Sequence, residues 1–216
     1  MKIKVFINNE FGENCYVAFD EMSKEAIIID PGMVTEKEQQ KVGSFVKDNE
    51  LTIKHILLTH SHVDHVYGCS YCVKEFGLGI TGCLEDQLCL PSAHLQAQLF
   101  GVTDCGTVPS ITTNIGDEDT LHFGNLDIKV IDCPGHSHHG LCFYIPQVKV
   151  VFTGDVLFNM SVGRSDFGPQ FGGDGAKLIE NIKNKLLTLP SDVDVYPGHG
   201  PRTAIELEIK RNPYLI

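Results

Sequence analysis

Four apolar, β-rich runs of this chain each lead into a side chain that can ligate a metal, and this recurrence restricts the possible folds more than any other feature. Ile53 to Leu58 runs into Thr59-His60, and Ile128 to Ile131 into Cys133-Pro134-Gly135-His136. Val148 to Phe152 runs into Thr153-Gly154-Asp155, and Val193 to Tyr196 into Pro197-Gly198-His199. In α/β architectures, groups just past the carboxyl ends of strands gather along one edge of the sheet, so four strand ends can deliver these side chains to one place. The first run continues as His60-Ser61-His62-Val63-Asp64-His65, three imidazoles and a carboxylate within six positions.

The remaining pattern places these ends in a frame. Ile3 to Ile7, Cys15 to Phe19 and Ala26 to Ile29 are short β-rich runs separated by turn residues. Thr35 to Glu38 has the spacing of a capping box, and Val42, Phe45 and Val46 give the segment to Asp48 one apolar face. A helix is expected from about Val66 to Phe76, a short strand near Ile80, and a helical stretch from Cys83 to Phe100 broken at Pro91. Strands are expected at Leu126 to Ile131, Leu141 to Ile145 and Val148 to Phe152, the last two joined by a turn at Pro146-Gln147. Asp174 can cap a helix with Leu178, Ile179, Ile182 and Leu186 on one face, and Thr203 to Glu206 is a second capping-box pattern. Strands followed by helix, twice over, predict a four-layer αββα sandwich built from two similar halves and forming one domain over residues 1–216.

Imidazole nitrogen and carboxylate oxygen suit borderline divalent ions. Seven such groups, His60, His62, Asp64, His65, His136, Asp155 and His199, exceed what one zinc accepts. Shared between two ions with Asp155 common to both, they would give each ion four protein contacts and room for a water. His138 and His139 neighbour His136 and are candidates for contacts behind the ligands. His55, His94 and His122 stand apart from the pattern, and structural or surface roles are expected for them.

The His60 to His65 motif resembles the HxHxDH signature of the metallo-β-lactamase superfamily. The resemblance continues through Asn14-Cys15-Tyr16, Ile29-Asp30-Pro31-Gly32, Thr153-Gly154-Asp155 and Gly198-His199-Gly200-Pro201. Gly163-Arg164-Ser165-Asp166-Phe167 and the closing Arg211-Asn212-Pro213-Tyr214 make it most similar to the short glyoxalase II-like branch. The resemblance implies that His60, His62 and His136 hold one divalent ion, Asp64, His65 and His199 the other, and Asp155 both. It implies Zn2+ as the metal, with Fe or Mn as alternatives, and Asp64 and Asp155 as the catalytic carboxylates. It further implies a thioesterase acting on hydroxyacyl-glutathione-type thioesters through a metal-bridging hydroxide. Only seventeen residues follow His199, fewer than the helical glutathione-binding domain of true glyoxalase II enzymes needs. Arg164 is the candidate for gripping a substrate carboxylate, or else an ion-pair partner of Asp166, and Phe158, Phe167 and Phe171 are candidate pocket walls. Cys83 to Gly106 is read as either a lid or packing.

A rival with the same signature is a persulfide dioxygenase using one iron on His60, His136 and Asp155. A non-catalytic metal-binding protein is a further alternative, disfavoured by retention of all seven donors. A formal charge of −11 opposes a phosphate backbone and argues against nucleic acid as a partner. No apolar run reaches the ~20 residues of a membrane span, and the N-terminus lacks an export signal, so a cytoplasmic protein with a small-molecule substrate is expected. In that compartment the eight cysteines are expected to be free thiols, with Cys69 and Cys72 on the buried face of one helix.

Overall fold

A computed structural model describes residues 1–104 and 106–216, so the thiol expected at Cys105 lies outside the described residues. The first half contains β1 (Lys2–Asn8), β2 (Glu13–Phe19), β3 (Glu25–Ile29), α1 (Glu36–Asp48), β4 (Thr52–Leu57), α2 (Val63–Val66), α3 (Cys69–Phe76), β5 (Ile80–Gly82), α4 (Leu84–Cys89), α5 (Ala93–Phe100) and β6 (Ile111–Asn114). The second contains β7 (Thr120–Phe123), β8 (Leu126–Asp132), β9 (Leu141–Ile145), β10 (Val150–Gly154), β11 (Leu157–Phe158), β12 (Ser161–Val162), α6 (Gly175–Asn181), β13 (Asp194–Pro197), β14 (Thr203–Ala204) and α7 (Ile205–Arg211).

Each half builds one six-stranded mixed sheet. The first has the order β1-β2-β3-β4-β5-β6 and the second β14-β13-β10-β9-β8-β7. Antiparallel hairpins open each sheet, and parallel pairs follow where a helix crosses over: β3 with β4, and β10 with β13.

The inner strands β2, β3, β9 and β10 bury both faces, which is why they read as continuous apolar runs. In β2 and β3, Tyr16, Ala18, Ile27 and Ile29 point between the sheets, against Ile128, Phe143 and Phe152 of the second sheet. Their alternates Val17, Ala26 and Ile28 pack beneath Val42 and Val46 of α1 and Cys69 and Cys72 of α3. In the second sheet, Cys142, Val151 and Val195 face Leu178, Ile182 and Leu186, the last two in a π-helical turn continuing α6. Helix, sheet, sheet, helix is thus the layer order, as expected. A register shift at Lys54 sets Ile53 and Ile56 on the same outer face although an ideal strand would oppose them.

Three local readings need correction. The helix expected from Val66 to Phe76 is two helices, α2 and α3, with Gly68 between them; a Cβ there would stand 2.8 Å from the Pro31 carbonyl oxygen. The strand expected from Val148 starts at Val150, because Pro146–Val148 form a 3-10 turn. The capping box at Thr203 does not form: Thr203 pairs with Val195 as β14 and its hydroxyl donates to the Glu208 carboxylate instead. The box at Thr35 forms as expected, with Glu38 accepting from the Thr35 backbone. Cys15, Cys72, Cys133 and Cys142 are buried free thiols, whereas Cys83 is half-buried and Cys89 exposed. No helix among the described residues is long and apolar enough to cross a membrane.

Candidate metal centre

The two sheets meet the site from opposite sides. β4 of the first sheet ends at Leu57, and the loop that follows carries His60 and His62 into α2, which carries Asp64 and His65. From the second sheet, His136 follows β8, Asp155 follows β10 and His199 follows β13. The parallel pairing of β10 and β13 sets Asp155 beside His199, and the Gly198 amide donates to the Gly154 carbonyl at 2.8 Å. Glycine is required at 198 by close approach, since a Cβ would stand 2.2 Å from Asp155 Oδ1 and 2.8 Å from His65 Cε1.

All seven expected donors converge. Ligand atoms of His60, His62 and His136 lie within 4.8 Å of one another, as do those of His60, His65 and Asp155, and of Asp64, His65 and His199. His62 Nδ1 faces His136 Nε2 at 2.9 Å. Asp155 lies between the groups, with Oδ1 at 3.3 Å from His65 Nε2 and Oδ2 at 3.5 Å from both His136 Nε2 and His199 Nε2. Asp64 Oδ2 is 3.2 Å from His199 Nε2.

The outer contacts of the imidazoles fit a bound cation. His136 Nδ1 donates to the Arg164 carbonyl at 2.6 Å and His199 Nδ1 to the Phe11 carbonyl at 3.2 Å. Thr59 Oγ1 donates to Asp30 at 2.7 Å, so it accepts from His60 Nδ1 at 3.0 Å. Asp30 Oδ2 also lies 3.1 Å from His65 Nδ1, near enough for an ion pair though not aligned as a hydrogen bond. Hydrogen bonds at Nδ1 hold His60, His136 and His199 with Nε2 turned inward, and Asp30 beside Nδ1 favours the same orientation at His65; once any Nε2 proton is lost, each can offer that nitrogen as metal-binding histidines do. Buried His60 Nε2, His65 Nε2 and Asp155 Oδ1 have no hydrogen-bond partner within the protein, and a cation would satisfy all three.

Electrostatics divides the cluster. Burial drives His60 well below its ordinary pKa, reinforced by His65, His62 and His136. Burial likewise takes His62 down to about 3 and lowers His136. Burial also opposes charge on His65 and His199, but Asp64, Asp155 and Asp30 outweigh it at His65, and Asp155 and Asp64 do so at His199, so both are raised. Burial would raise Asp155, yet His199 and His65 hold it well below the carboxylate range. The first group therefore offers neutral nitrogen donors. In the second, protons occupy positions a divalent ion would take, so metal binding would release them.

Two supporting residues, Asp86 and Gln96, were not singled out in the sequence reading, and Asn14 and Tyr16 were given no role there. Asp86 of α4 is fully buried and accepts from the Ser61 amide at 2.8 Å and the His139 amide at 2.9 Å, tying the His60 to His65 loop to the loop of His136. Gln96 of α5 accepts from the Val63 amide and donates to the Ser61 carbonyl. The segment read as a lid or packing thus holds the His60 to His65 loop in place. Asn14 donates to the Pro197 and Gly200 carbonyls, and Tyr16 to the Pro197 carbonyl, fixing the loop of His199. His139 is held by Asp132 at 2.9 Å, behind the site. His55 contacts the His122 carbonyl, while His94 and His122 pair with Asp104 and Asp127 and do not join the cluster.

A cavity of about 260 Å³ opens over the donors, lined beyond them by Phe11, Val63, Phe100, Phe158, Arg164 and Phe167. Phe171, an expected wall, is buried behind Phe100 and Phe167 instead. Arg164 reaches the cavity while its guanidinium forms a two-pronged pair with Asp166, at 2.9 and 3.0 Å.

Comparison with known proteins agrees with this geometry. The family model described as "Metallo-beta-lactamase superfamily" matches residues 8–199. The "Hydroxyacylglutathione hydrolase GloC" of Haemophilus influenzae is 35% identical over 222 residues, covering 100% of this chain and 98% of that protein. Among solved structures, the BLEG-1 B3 metallo-beta-lactamase superposes with a TM-score of 0.88 at 31% identity, over 99% of each chain. ETHE1 from Myxococcus xanthus superposes with a TM-score of 0.78 at 25% identity, over 99% of this chain and 84% of its own.

Proposed function

The chain belongs to the metallo-beta-lactamase superfamily, and on that footing we propose that it is a binuclear-metal thioesterase acting on hydroxyacyl-glutathione-type thioesters. The observation that carries this reading is the make-up of the cavity walls. Outside the seven donors, Arg164 is the sole titratable side chain among the described residues that line the cavity, and a guanidinium, which stays protonated throughout the physiological range, does not supply protons near neutrality. An amide nitrogen must be protonated as it departs. A thiolate, whose parent thiol has a pKa of about 8.5, leaves without such help. The lining therefore supports a thioester and weighs against a lactam. The similarity to the Haemophilus hydroxyacylglutathione hydrolase supports the same choice.

His60, His62 and His136 would hold one divalent ion, Asp64, His65 and His199 a second, and Asp155 both. Zinc is the first candidate for both ions, with iron or manganese as alternatives. Ions so held supply a polarised carbonyl and a water whose pKa falls towards neutrality. Asp155, reaching His65 through one oxygen and His136 and His199 through the other, keeps the two groups in fixed relation. Phe100, Phe158 and Phe167 limit water around the acyl carbon. Hydrolysis adds the oxygen of water to that carbon, breaks the C–S bond and releases a carboxylate and a thiol.

Metal analysis of protein purified without added metal, run beside an S-lactoylglutathione assay, tests the reading: two ions per chain with hydrolysis are expected. A second reading, the persulfide dioxygenase with one iron on His60, His136 and Asp155, is supported by the Gly163 to Asp166 loop and the likeness to ETHE1. One iron per chain, with oxygen uptake on glutathione persulfide and no hydrolysis, would replace the first reading with the second.

A further inference from the structure

The cavity over the metal centre has two aromatic walls contributed by segments distant in sequence. Beside the first donor group, the Phe167 ring lies 5.7 Å from the His62 imidazole and 5.8 Å from that of His136. Phe100, at the end of α5, extends this wall, 5.8 Å from Phe167 and 5.6 Å from buried Phe171. Beside the second group, Phe158 lies 6.1 Å from the His199 imidazole, and Phe11, whose carbonyl receives the His199 Nδ1 proton, completes the opposite wall.

Phe100 is held in place by the same helix that supports the metal loop. Gln96 binds the Ser61 carbonyl and the Val63 amide, and a residue four positions later lies on the same helix face, one turn further on. α5 is capped by Ser92 and ends at Gly101, whose φ of 66° favours glycine. Phe100 nonetheless keeps 41% of its surface exposed and Phe11 42%, leaving two large apolar side chains uncovered at the mouth of a site. Outside the donors, the one charged group among the described residues on these walls, Arg164, is paired with Asp166 and stacks 4.5 Å over Phe167. Beyond the donors, the walls offer an acyl side chain apolar surface and little else. A lactoyl methyl would leave most of the roughly 260 Å³ unfilled.

We propose that this cavity selects 2-hydroxyacyl thioesters whose acyl side chain is aryl or branched apolar, and that Phe100 of α5 is the residue that sets this preference. The inference rests on the thioesterase reading and names the acyl class for it. Such substrates would be supplied by a reaction that isomerises the hemithioacetal of an aryl or branched 2-oxoaldehyde and a thiol, the C1 hydrogen passing to C2 so that C1 becomes the thioester carbonyl and C2 the hydroxyl-bearing carbon.

The test compares S-mandeloylglutathione with S-lactoylglutathione, which share the thiol and the 2-hydroxyl and differ in phenyl against methyl. The expected kcat/KM ratio favours the mandeloyl thioester about ten-fold or more, as apolar pocket filling commonly gives. Phe100→Ala is expected to lower that ratio about five- to ten-fold, and Phe100→Leu, which keeps apolar bulk, to retain most of it. Melting curves of both variants check that the fold is intact. Mandelate is also expected to bind the metal-loaded protein more tightly than lactate, a readout that needs no turnover. Hydrolysis of both thioesters at equal efficiency, or a ratio unmoved by Phe100→Ala, overturns the acyl preference and leaves the thioesterase reading in place. Hydrolysis of neither overturns both.

Discussion

Asp30→Asn isolates the support behind the metal centre from the centre itself. Asp30 is buried, its Oδ1 accepts from the Thr59 amide at 2.8 Å, and its Oδ2 accepts from the Thr59 hydroxyl and faces His65 Nδ1 at 3.1 Å. Its φ of 50° lies in the left-handed region, which asparagine tolerates and alanine does not, so the substitution changes charge and hydrogen bonding with little backbone strain. The amide nitrogen cannot accept. One of the two sides therefore loses its acceptor, and His65 loses the carboxylate that turns its Nε2 inward. Losing one or two charged, buried hydrogen bonds at about 1.5–3 kcal/mol each predicts a fall in the unfolding free energy of about 2–5 kcal/mol. Outer partners of metal ligands typically govern about 10–100-fold in metal affinity, equivalent to about 1.4–2.7 kcal/mol. Urea unfolding of the metal-free protein reads the first quantity, and competition for metal against a chelator of known affinity reads the second. If metal affinity is unchanged while stability falls, Asp30 supports only the fold. If neither changes, the Asp30–Thr59–His60 chain of contacts does not act as described.

His62→Ala should remove one donor of the first group and abolish hydrolysis with reduced metal content, whereas His94→Ala, outside the cluster and paired with Asp104, should do neither; elemental analysis and the thioester assay decide. Removing metal with a chelator should lower the melting temperature by about 5–10 °C, given about 2.7 kcal/mol of linkage at a hundred-fold excess over Kd and about 2–4 °C per kcal/mol for a chain of this size; an unchanged melt would mean the folded donors hold no ion. Burial pushes the Glu13 carboxyl well above its ordinary pKa, with Asp30 and Asp64 adding to the rise against the pull of His65. A carboxyl raised on folding contributes its stability below the unfolded pKa and loses it as pH climbs towards the folded value, by at most ~1.4 kcal/mol per pH unit. Metal-free Glu13→Gln should therefore lack this decline above about pH 4.5, and parallel pH profiles for the two proteins would refute it.

The fold was legible where local pattern and tertiary demand coincide. β2, β3, β9 and β10 are apolar on both faces because a helix layer covers one side and the opposing sheet the other, so their residues carry the signal without knowledge of the partner. The capping box at Thr35 could be read because both of its bonds are local. The same four-residue pattern at Thr203 misleads, since cross-strand pairing with Val195 commits its backbone to the sheet. Short edge strands β6 and β7 gave too weak an alternation to be read.

Residue chemistry and its repeated position after β-rich runs picked out the seven side chains that the fold brings together, because imidazole and carboxylate groups can be recognised one residue at a time. Sequence could not show which outer atom holds each ring. Asp30, Asp86 and Gln96 act from 25 to 53 positions away from the groups they fix, and their residue types are ordinary in turns and helices. Nor could it show that Phe11, Phe100 and Phe158 share one cavity, since Phe100 lies on a helix whose orientation only packing determines. The chemistry of the donors is a property of side chains and can be read along the chain. Their support and the shape of the pocket above them are relations between distant segments, which come into existence only when the two sheets close on each other.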